Sequence, residues 1–200
     1  MELRDKDGLT EQEFLASYNP GNFPRPSMTA DIAIFSRDQR GWKVLLVRRG
    51  GHPCLGQWAM PGGFVGPKET IGRAAARELE EETGITGLVP EQLLTYSQPG
   101  RDPRTWVMTT AHLVVADASQ LKVQAGDDAA DAGWFRIERR REDEGVYSLR
   151  LEKGGELLTA KVLRTTACDD GPYRIMENSG LAFDHAKILA LALDRLEERK

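Results

Sequence analysis

Hydrophobic positions along the chain fall into runs with the spacing of strands or of helices. Two β-rich runs, MTADIAIFS (28–36) and WKVLLVRR (42–49), flank the polar loop RDQRG and predict a hairpin. The middle of the second run is continuously apolar, as expected of a strand that is buried on both faces. Further strand-like runs follow at residues 92–98, 105–116 and 131–137.

A strong helical pattern occupies the middle of the chain, in TIGRAAARELEEETG (70–84). Thr70 or Glu69 can cap its start, and Gly84 suits the left-handed conformation that ends many helices. The preceding stretch PGGFVGPKE (61–69) contains three glycines and two prolines. We therefore expect an irregular loop that leads directly into the helix.

The two ends of the chain differ from its centre. Thr10 and Glu13 have the spacing of a capping box for a short helix, and NPGNFPRP then indicates extended chain. From residue 138, ERRREDEG indicates a charged loop, and two strand-like runs flanking a Gly-Gly pair predict a hairpin. An amphipathic helix is expected at about residues 184–199. The predicted organisation is an N-terminal arm (1–27), a core (28–138), a C-terminal hairpin insertion (139–180) and a final helix (181–200), in the α+β class.

Composition narrows the function classes. The chain has 200 residues, 40% of them hydrophobic and 29% charged, with a net charge of -4, so no basic field would attract nucleic acid or an anionic membrane. The two cysteines, Cys54 and Cys168, have no metal-ligand spacing. The polar N-terminus shows no signal peptide, and the late apolar stretch is too short to span a bilayer. We expect a cytoplasmic protein without nucleic-acid or membrane partners.

Four glutamates crowd into RELEEETGI, residues 77–85. At about 100° per residue, Glu78, Glu81 and Glu82 share an arc beside the apolar stripe, whereas Glu80 points away. A solvated face therefore explains only Glu80, and the other three should be partly covered. Arg77 can reach Glu81 and offset one charge. A hard divalent cation such as Mg²⁺ would remove the remaining repulsion, so the pattern predicts a metal site.

Extended backward to residue 63, this stretch resembles the Nudix box, G-x5-E-x7-R-E-U-x-E-E-x-G-U with U aliphatic. The matching positions are Gly63, Glu69, Arg77, Glu78, Leu79, Glu81, Glu82, Gly84 and Ile85. A chance match in a chain of this length has a probability on the order of one in a million. The resemblance implies the Nudix fold, a mixed sheet between helices, and hydrolysis of a nucleoside diphosphate derivative with Mg²⁺ or Mn²⁺.

The resemblance also implies roles for the residues of the box. Glu78 and Glu82 would bind the metal directly, and Glu81 would bind or bridge a second ion. The loop carbonyls of Gly62 or Gly63 would complete the coordination. Arg77 would orient the carboxylates, Glu69 would support the loop and the helix start, and Gly84 would end the helix. The catalytic residues implied are Glu78, Glu81 and Arg77, together with a general base outside the box.

Outside the box, the chain resembles the ADP-ribose pyrophosphatase-like branch and the Nudix-related regulators of NAD metabolism. The resemblance lies in YNPGNFPRPSMTADIAIF, HPCLGQWAMPGGFV, PGRDPR, AGDDAADAGWF and LAFDHAKIL. It implies ADP-ribose as substrate, cleaved to AMP and ribose 5-phosphate, and a homodimer. The alternatives are nucleoside triphosphates, dinucleoside polyphosphates or NADH, or a non-catalytic ADP-ribose sensor. The intact box and the chain's end soon after the final helix favour the enzyme.

Residues outside the box have two interpretations each. Arg101 and Arg104 either bind the substrate or belong to a turn made by Asp102 and Pro103. Asp128, beside Asp127, is a candidate for the general base or a solvated loop acid. Trp58 and Phe23 either contact the adenine, with Phe23 acting across a dimer, or pack structurally. His185 has a suitable pKa for proton transfer, but its place at a helix start favours a structural role satisfied by hydrogen bonds.

Overall fold

The computed structural model describes residues 2–118, 129–166 and 170–199, with only the backbone of residues 129 and 130. The helices are α1 (Glu11–Ser17), α2 (Ile71–Thr83) and α3 (His185–Glu198), with a 3-10 turn at Pro20–Asn22. The strands are β1 (Ser27–Asp38), β2 (Gly41–Arg49), β3 (Trp58–Ala59), β4 (Gly62–Phe64), β5 (Glu91–Tyr96), β6 (Val107–Val115), β7 (Ala129–Asp143), β8 (Val146–Lys153), β9 (Glu156–Arg164) and β10 (Tyr173–Ser179).

One mixed sheet contains all of these strands. Its order is β10-β9-β8-β7-β2-β1-β6-β5, with β3 paired to β2 and β4 paired to β1. β1 and β6 run parallel, and the other pairs are antiparallel. The predicted β1–β2 hairpin is confirmed, with Asp38 opposite Gly41 at its turn.

Helices cover both faces of the sheet, so two apolar clusters form. On one face, α2 buries Ala74, Ala75 and Leu79 against residues of β1 and β2 that include Ile32 and Leu45. On the other face, α3 packs into a larger cluster that contains Phe35, Leu46, Phe135, Leu151 and Val162. Because α3 contacts β1 in the centre and both β9 and β10 near one edge, the sheet curls around this helix. The predicted α+β class is confirmed.

Several local predictions need correction. The charged loop predicted from residue 138 is wrong, because β7 continues to Asp143 by pairing with β8, Glu138 opposite Arg150. The predicted hairpin is β8 and β9, and a third strand that the sequence did not reveal, β10, pairs with β9. Within the loop expected to be irregular, Gly62–Phe64 forms the short strand β4 on β1.

The N-terminal arm has the predicted capping box at Thr10 and Glu13. No residue of α1 is buried, and Phe14, Tyr18 and Phe23 stack on one another with exposed rings. Among the helices described here, none is long and apolar enough to cross a membrane.

Candidate active site

A cavity of about 750 Å³ opens between α2, β1, β2, the β3–β4 segment and the start of α3. Its lining combines acidic residues with basic and aromatic residues. The acidic lining comprises Asp31, Glu78, Glu81, Glu82 and Asp102. The basic and aromatic lining comprises Arg48, Arg49, His52, Arg101, Arg104, His185, Phe64 and Phe183. The cavity can therefore hold cations and anionic groups side by side.

Two glycines bring the backbone of β4 against the carboxylates of α2. A Cβ on Gly63 would stand 2.6 Å from Cδ of Glu78, and one on Gly62 would stand 2.9 Å from Cα of Asp31. Gly62 also has a φ of 152°, a conformation that favours glycine. Only glycines let the chain pass this close to the glutamates.

Glu82 is the most enclosed carboxylate of the helix. The backbone N–H of Gly62 donates to its Oε1 at 3.2 Å, while its buried Oε2 has no hydrogen-bond partner among the described residues. Burial raises the pKa of Glu82 to about 7, and the nearby charges of Glu78 and Asp31 add to the shift. An enclosed oxygen without a proton donor is a natural ligand for a cation.

Arg77 connects the other acids of the box. It donates to Glu69 at 2.9 Å, to Glu78 at 2.6 Å and to Glu81 at 3.0 Å, and also to the Phe64 carbonyl at 3.2 Å. Glu69 in turn accepts the backbone N–H of Gly66 at 2.7 Å, which fastens the loop to the helix start. Burial raises the pKa of Glu78 despite the bond from Arg77. The prediction that Glu81 is partly covered is wrong, because its side chain is 57% exposed.

The donors in this corner of the cavity suit a hard divalent cation. They are carboxylate oxygens and glycine-loop carbonyls, which Mg²⁺ and Mn²⁺ prefer. Within the described residues, no three acidic, histidine or cysteine side chains already stand in a metal-binding arrangement. The buried Oε2 of Glu82, which has no partner among the described residues, supports the fit of these residues to such an ion.

The arginines predicted to bind substrate are both engaged in ion pairs. Arg101, with a side chain only 4% exposed, donates to Asp184 at 3.0 and 2.7 Å. Arg104 donates to Asp102 from both its side chain and its backbone N–H, the contact expected of the alternative turn. Arg101 and Arg104 line the cavity, but their guanidinium groups are largely occupied by carboxylates.

The other predicted residues lie in different places. Trp58 is buried, donates its indole N–H to Glu156 at 2.7 Å and packs on Phe135, and it does not line the cavity, so the structure contradicts its assignment to substrate binding. Phe23 is exposed on the N-terminal arm, away from the cavity of its own chain. Asp128, the predicted base, lies outside the described residues.

His185 reaches the cavity from the first residue of α3. Its Nδ1 accepts the backbone N–H of Met60 at 2.9 Å, so the neutral ring carries its proton on Nε2, which lies 3.9 Å from Asp31. Burial lowers the pKa of His185. This is the hydrogen-bonded arrangement that the sequence left open.

Several cavity residues were missed from the sequence, among them Asp31, Arg49 and Phe183. Asp31 receives a hydrogen bond from Thr109 at 2.7 Å and lies next to Gly62 in the register of β1 and β4. A charged residue inside the otherwise apolar strand TADIAIF was the signal that could have identified it. No comparable signal marks Arg49 or Phe183, whose position depends on the folded chain.

Comparison with known proteins shows what this chain is similar to. The NUDIX domain family matches residues 25–150. ADP-ribose pyrophosphatase of Methanocaldococcus jannaschii is 40% identical over 112 residues, which cover 56% of this chain and 63% of that protein. The ADPR responsive transcriptional repressor NtrR of Acinetobacter baylyi is 36% identical over 134 residues, 65% of this chain and 52% of that protein. The chain thus spans between about half and two thirds of these curated relatives.

A solved structure extends the similarity to nearly the whole chain. The MutT/nudix family protein from Enterococcus faecalis superimposes with a TM-score of 0.75 at 32% identity, covering 95% of this chain and 70% of that one. The Nudix fold that the sequence resemblance implied is confirmed. The chain belongs to the NUDIX domain family.

Proposed function

We propose that this protein is a Mg²⁺- or Mn²⁺-dependent pyrophosphohydrolase that cleaves a nucleoside diphosphate derivative, with ADP-ribose as the leading substrate and AMP and ribose 5-phosphate as products. The observation that carries the proposal is the enclosed carboxylate of Glu82 with its unpartnered oxygen beside the Gly62–Gly63 backbone. The pyrophosphatase relative supports the choice of ADP-ribose.

The acidic and the basic residues of the cavity would have different roles. Glu78 and Glu82 would hold the ion with a glycine-loop carbonyl, and Glu81 would approach a second ion from its exposed position. Arg77, which donates to Glu69, Glu78 and Glu81, would keep these three carboxylates aligned. When bound, a divalent cation offsets the charge of the phosphates and makes water easier to deprotonate near neutral pH. The basic residues of the cavity would bind the diphosphate in line for attack by this water.

The test is a hydrolysis assay on the purified chain with ADP-ribose and MgCl₂ or MnCl₂, in which chromatography measures AMP. We expect AMP release that EDTA abolishes, a loss of at least about a hundredfold in Glu82→Gln, and wild-type rates in Glu80→Gln. Glu80 is the matched control because it is exposed on the same helix. If no AMP forms from ADP-ribose with either metal, the substrate assignment is wrong, and a panel of NADH, dinucleoside polyphosphates and nucleoside triphosphates shows whether another class replaces it.

A second candidate function is an ADP-ribose-responsive regulator, favoured by the similarity to the NtrR repressor. In that case the cavity binds ADP-ribose without turning it over. Calorimetry with ADP-ribose, combined with the hydrolysis assay, separates the two functions. Tight binding with no AMP after prolonged incubation would favour the regulator, whereas turnover at enzymatic rates would favour the hydrolase.

A further inference from the structure

Two guanidinium groups and two phenylalanine rings alternate in the lining of the cavity. The guanidinium of Arg104 lies 5.3 Å from the ring centroid of Phe64 and 6.0 Å from that of Phe183. The guanidinium of Arg49 lies 5.0 Å from the same Phe183 ring. All four residues line the cavity. Phe183 thus lies between the two cations in this stack.

Phe183 holds an unusual backbone conformation. Its φ is 49°, in the left-handed region that a bulky residue adopts only with backbone strain. Its neighbours Ala182, Asp184 and His185 are buried, whereas the Phe183 side chain is only half-buried and faces the cavity. The strained residue thus places its ring against the guanidinium groups of Arg49 and Arg104 and against the His185 ring, with the two ring centroids 5.6 Å apart.

Arg49 differs from the two arginines that the sequence singled out. Its Nε donates to the Pro53 carbonyl at 2.7 Å, and no ion pair between described residues involves it. Arg101 and Arg104, in contrast, are paired with Asp184 and Asp102. Within the described residues, the terminal nitrogens of Arg49 have no hydrogen-bond acceptor, so their N–H donors can bind phosphate oxygens while the guanidinium lies over the Phe183 ring.

We infer that Arg49 is the principal phosphate-binding side chain of the cavity, and that Phe183 is a positioning residue that holds its guanidinium in place. The inference rests on the proposed function for its substrate, a diphosphate. Arg49 would bind the diphosphate within the cavity that the α2 carboxylates also line. The strain at Phe183 is then explained, because the ring orients a cation that has no carboxylate among the described residues to hold it.

The first test measures equilibrium affinity for ADP, AMP and adenosine by calorimetry in the presence of CaCl₂. We expect Arg49→Gln to weaken ADP binding by about tenfold or more, and to leave adenosine binding unchanged. Arg49→Lys should recover only part of the loss, since an ammonium ion lacks the planar stack and the two-pronged donor set. Arg73→Gln, at an exposed position on α2, is the matched control and should bind ADP as the wild type does. An unchanged ADP affinity in Arg49→Gln would overturn the inference, as would a wild type that binds ADP no more tightly than adenosine.

The second test is a double-mutant cycle that isolates the positioning role. Phe183→Leu should weaken ADP binding by about three- to tenfold in the wild type and have no further effect in Arg49→Gln. Phe183→Tyr, which keeps the ring, should bind normally, and thermal unfolding verifies that each variant is folded. Equal losses in both backgrounds, together with weaker adenosine binding, would show instead that Phe183 stacks on the nucleobase.

The outcomes also separate this inference from the proposed function. If the wild type hydrolyses no diphosphate but Arg49→Gln still loses ADP affinity, the hydrolase assignment fails and the role of Arg49 stands. If the wild type hydrolyses ADP-ribose and Arg49→Gln keeps its full kcat/KM, the role of Arg49 fails and the hydrolase stands.

Discussion

Gly63 sets how closely the β4 backbone approaches the carboxylates of α2. The Glu78 carboxylate occupies the space that a side chain at this position would need. A single methyl group added at this position would therefore displace an ion ligand without removing any functional group. This makes Gly63 a direct probe of the site's geometry.

We predict that Gly63→Ala reduces kcat/KM for ADP-ribose by about tenfold or more, because the new Cβ would stand 2.6 Å from Cδ of Glu78 and force that carboxylate to move. Steady-state kinetics measure the loss. Gly72→Ala is the control, since nothing lies within 4 Å of a Cβ there. Full activity in Gly63→Ala would show that Glu78 need not occupy this position.

At the residue scale, sequence periodicity correctly placed Glu82 beside the apolar stripe and Glu80 in solvent. It failed for Glu81, because the width of the covered arc depends on how β4 packs against α2. The sequence left open whether Arg101 binds the substrate or belongs to a turn, and it did not reveal that Asp184, 83 residues away, accepts two hydrogen bonds from its guanidinium. A partner so distant in sequence leaves no local pattern.

At the scale of elements, α2 is fixed at both ends by the residues that the sequence indicated. The Thr70 side chain accepts the backbone N–H of Arg73, and Gly84 has a φ of 71° at the C-cap. These local signals were sufficient because each acts within a few residues of the helix. The helix thus presents Glu78 and Glu82 from a stable support.

We predict that Thr70→Ala lowers the free energy of unfolding by about 1 kcal/mol, because the N–H of Arg73 loses its acceptor. Urea denaturation monitored by circular dichroism measures the change. The KM for ADP-ribose should stay within about twofold of the wild-type value, because Thr70 does not line the cavity. A loss of stability below about 0.3 kcal/mol would show that the cap is unimportant.

The end of β7 shows why other elements were missed. Residues 138–143 are mostly charged and exposed, which locally indicates a loop. They are held as a strand by pairing with β8, where Arg140 lies opposite Ser148 and Glu138 opposite Arg150. β10 is likewise a polar strand, which pairs with β9. Exposed strands of this kind lack the alternation that predicts a strand from sequence.

At the scale of the whole molecule, buried titratable groups make stability depend on pH. His112 lies inside β6 with Nδ1 3.0 Å from the Thr110 carbonyl, and its Nε2 has no partner among the residues described. Burial lowers the pKa of His112. The unfolded chain therefore takes up a proton near pH 6.5 that the folded chain does not, and this group destabilises the fold as the pH falls.

We predict that His112→Gln flattens the loss of unfolding free energy between about pH 6.5 and pH 5 relative to the wild type. Glu82, whose pKa burial raises to about 7, acts in the opposite direction in this window, since its stabilising protonation is lost as the pH rises. The test is therefore the difference between variant and wild type, measured by urea unfolding across the window. Parallel pH profiles would contradict the account.

The most direct test of the central claim, that the carboxylates of α2 form a divalent-cation site, is calorimetric titration of the metal-free protein with MnCl₂. The wild type and Glu80→Gln should bind Mn²⁺ with the same affinity, and Glu82→Gln should bind it at least about tenfold more weakly, because it replaces an enclosed carboxylate ligand with a neutral amide. Mn²⁺ binding that is equal in all three proteins, or absent from the wild type, would contradict the account.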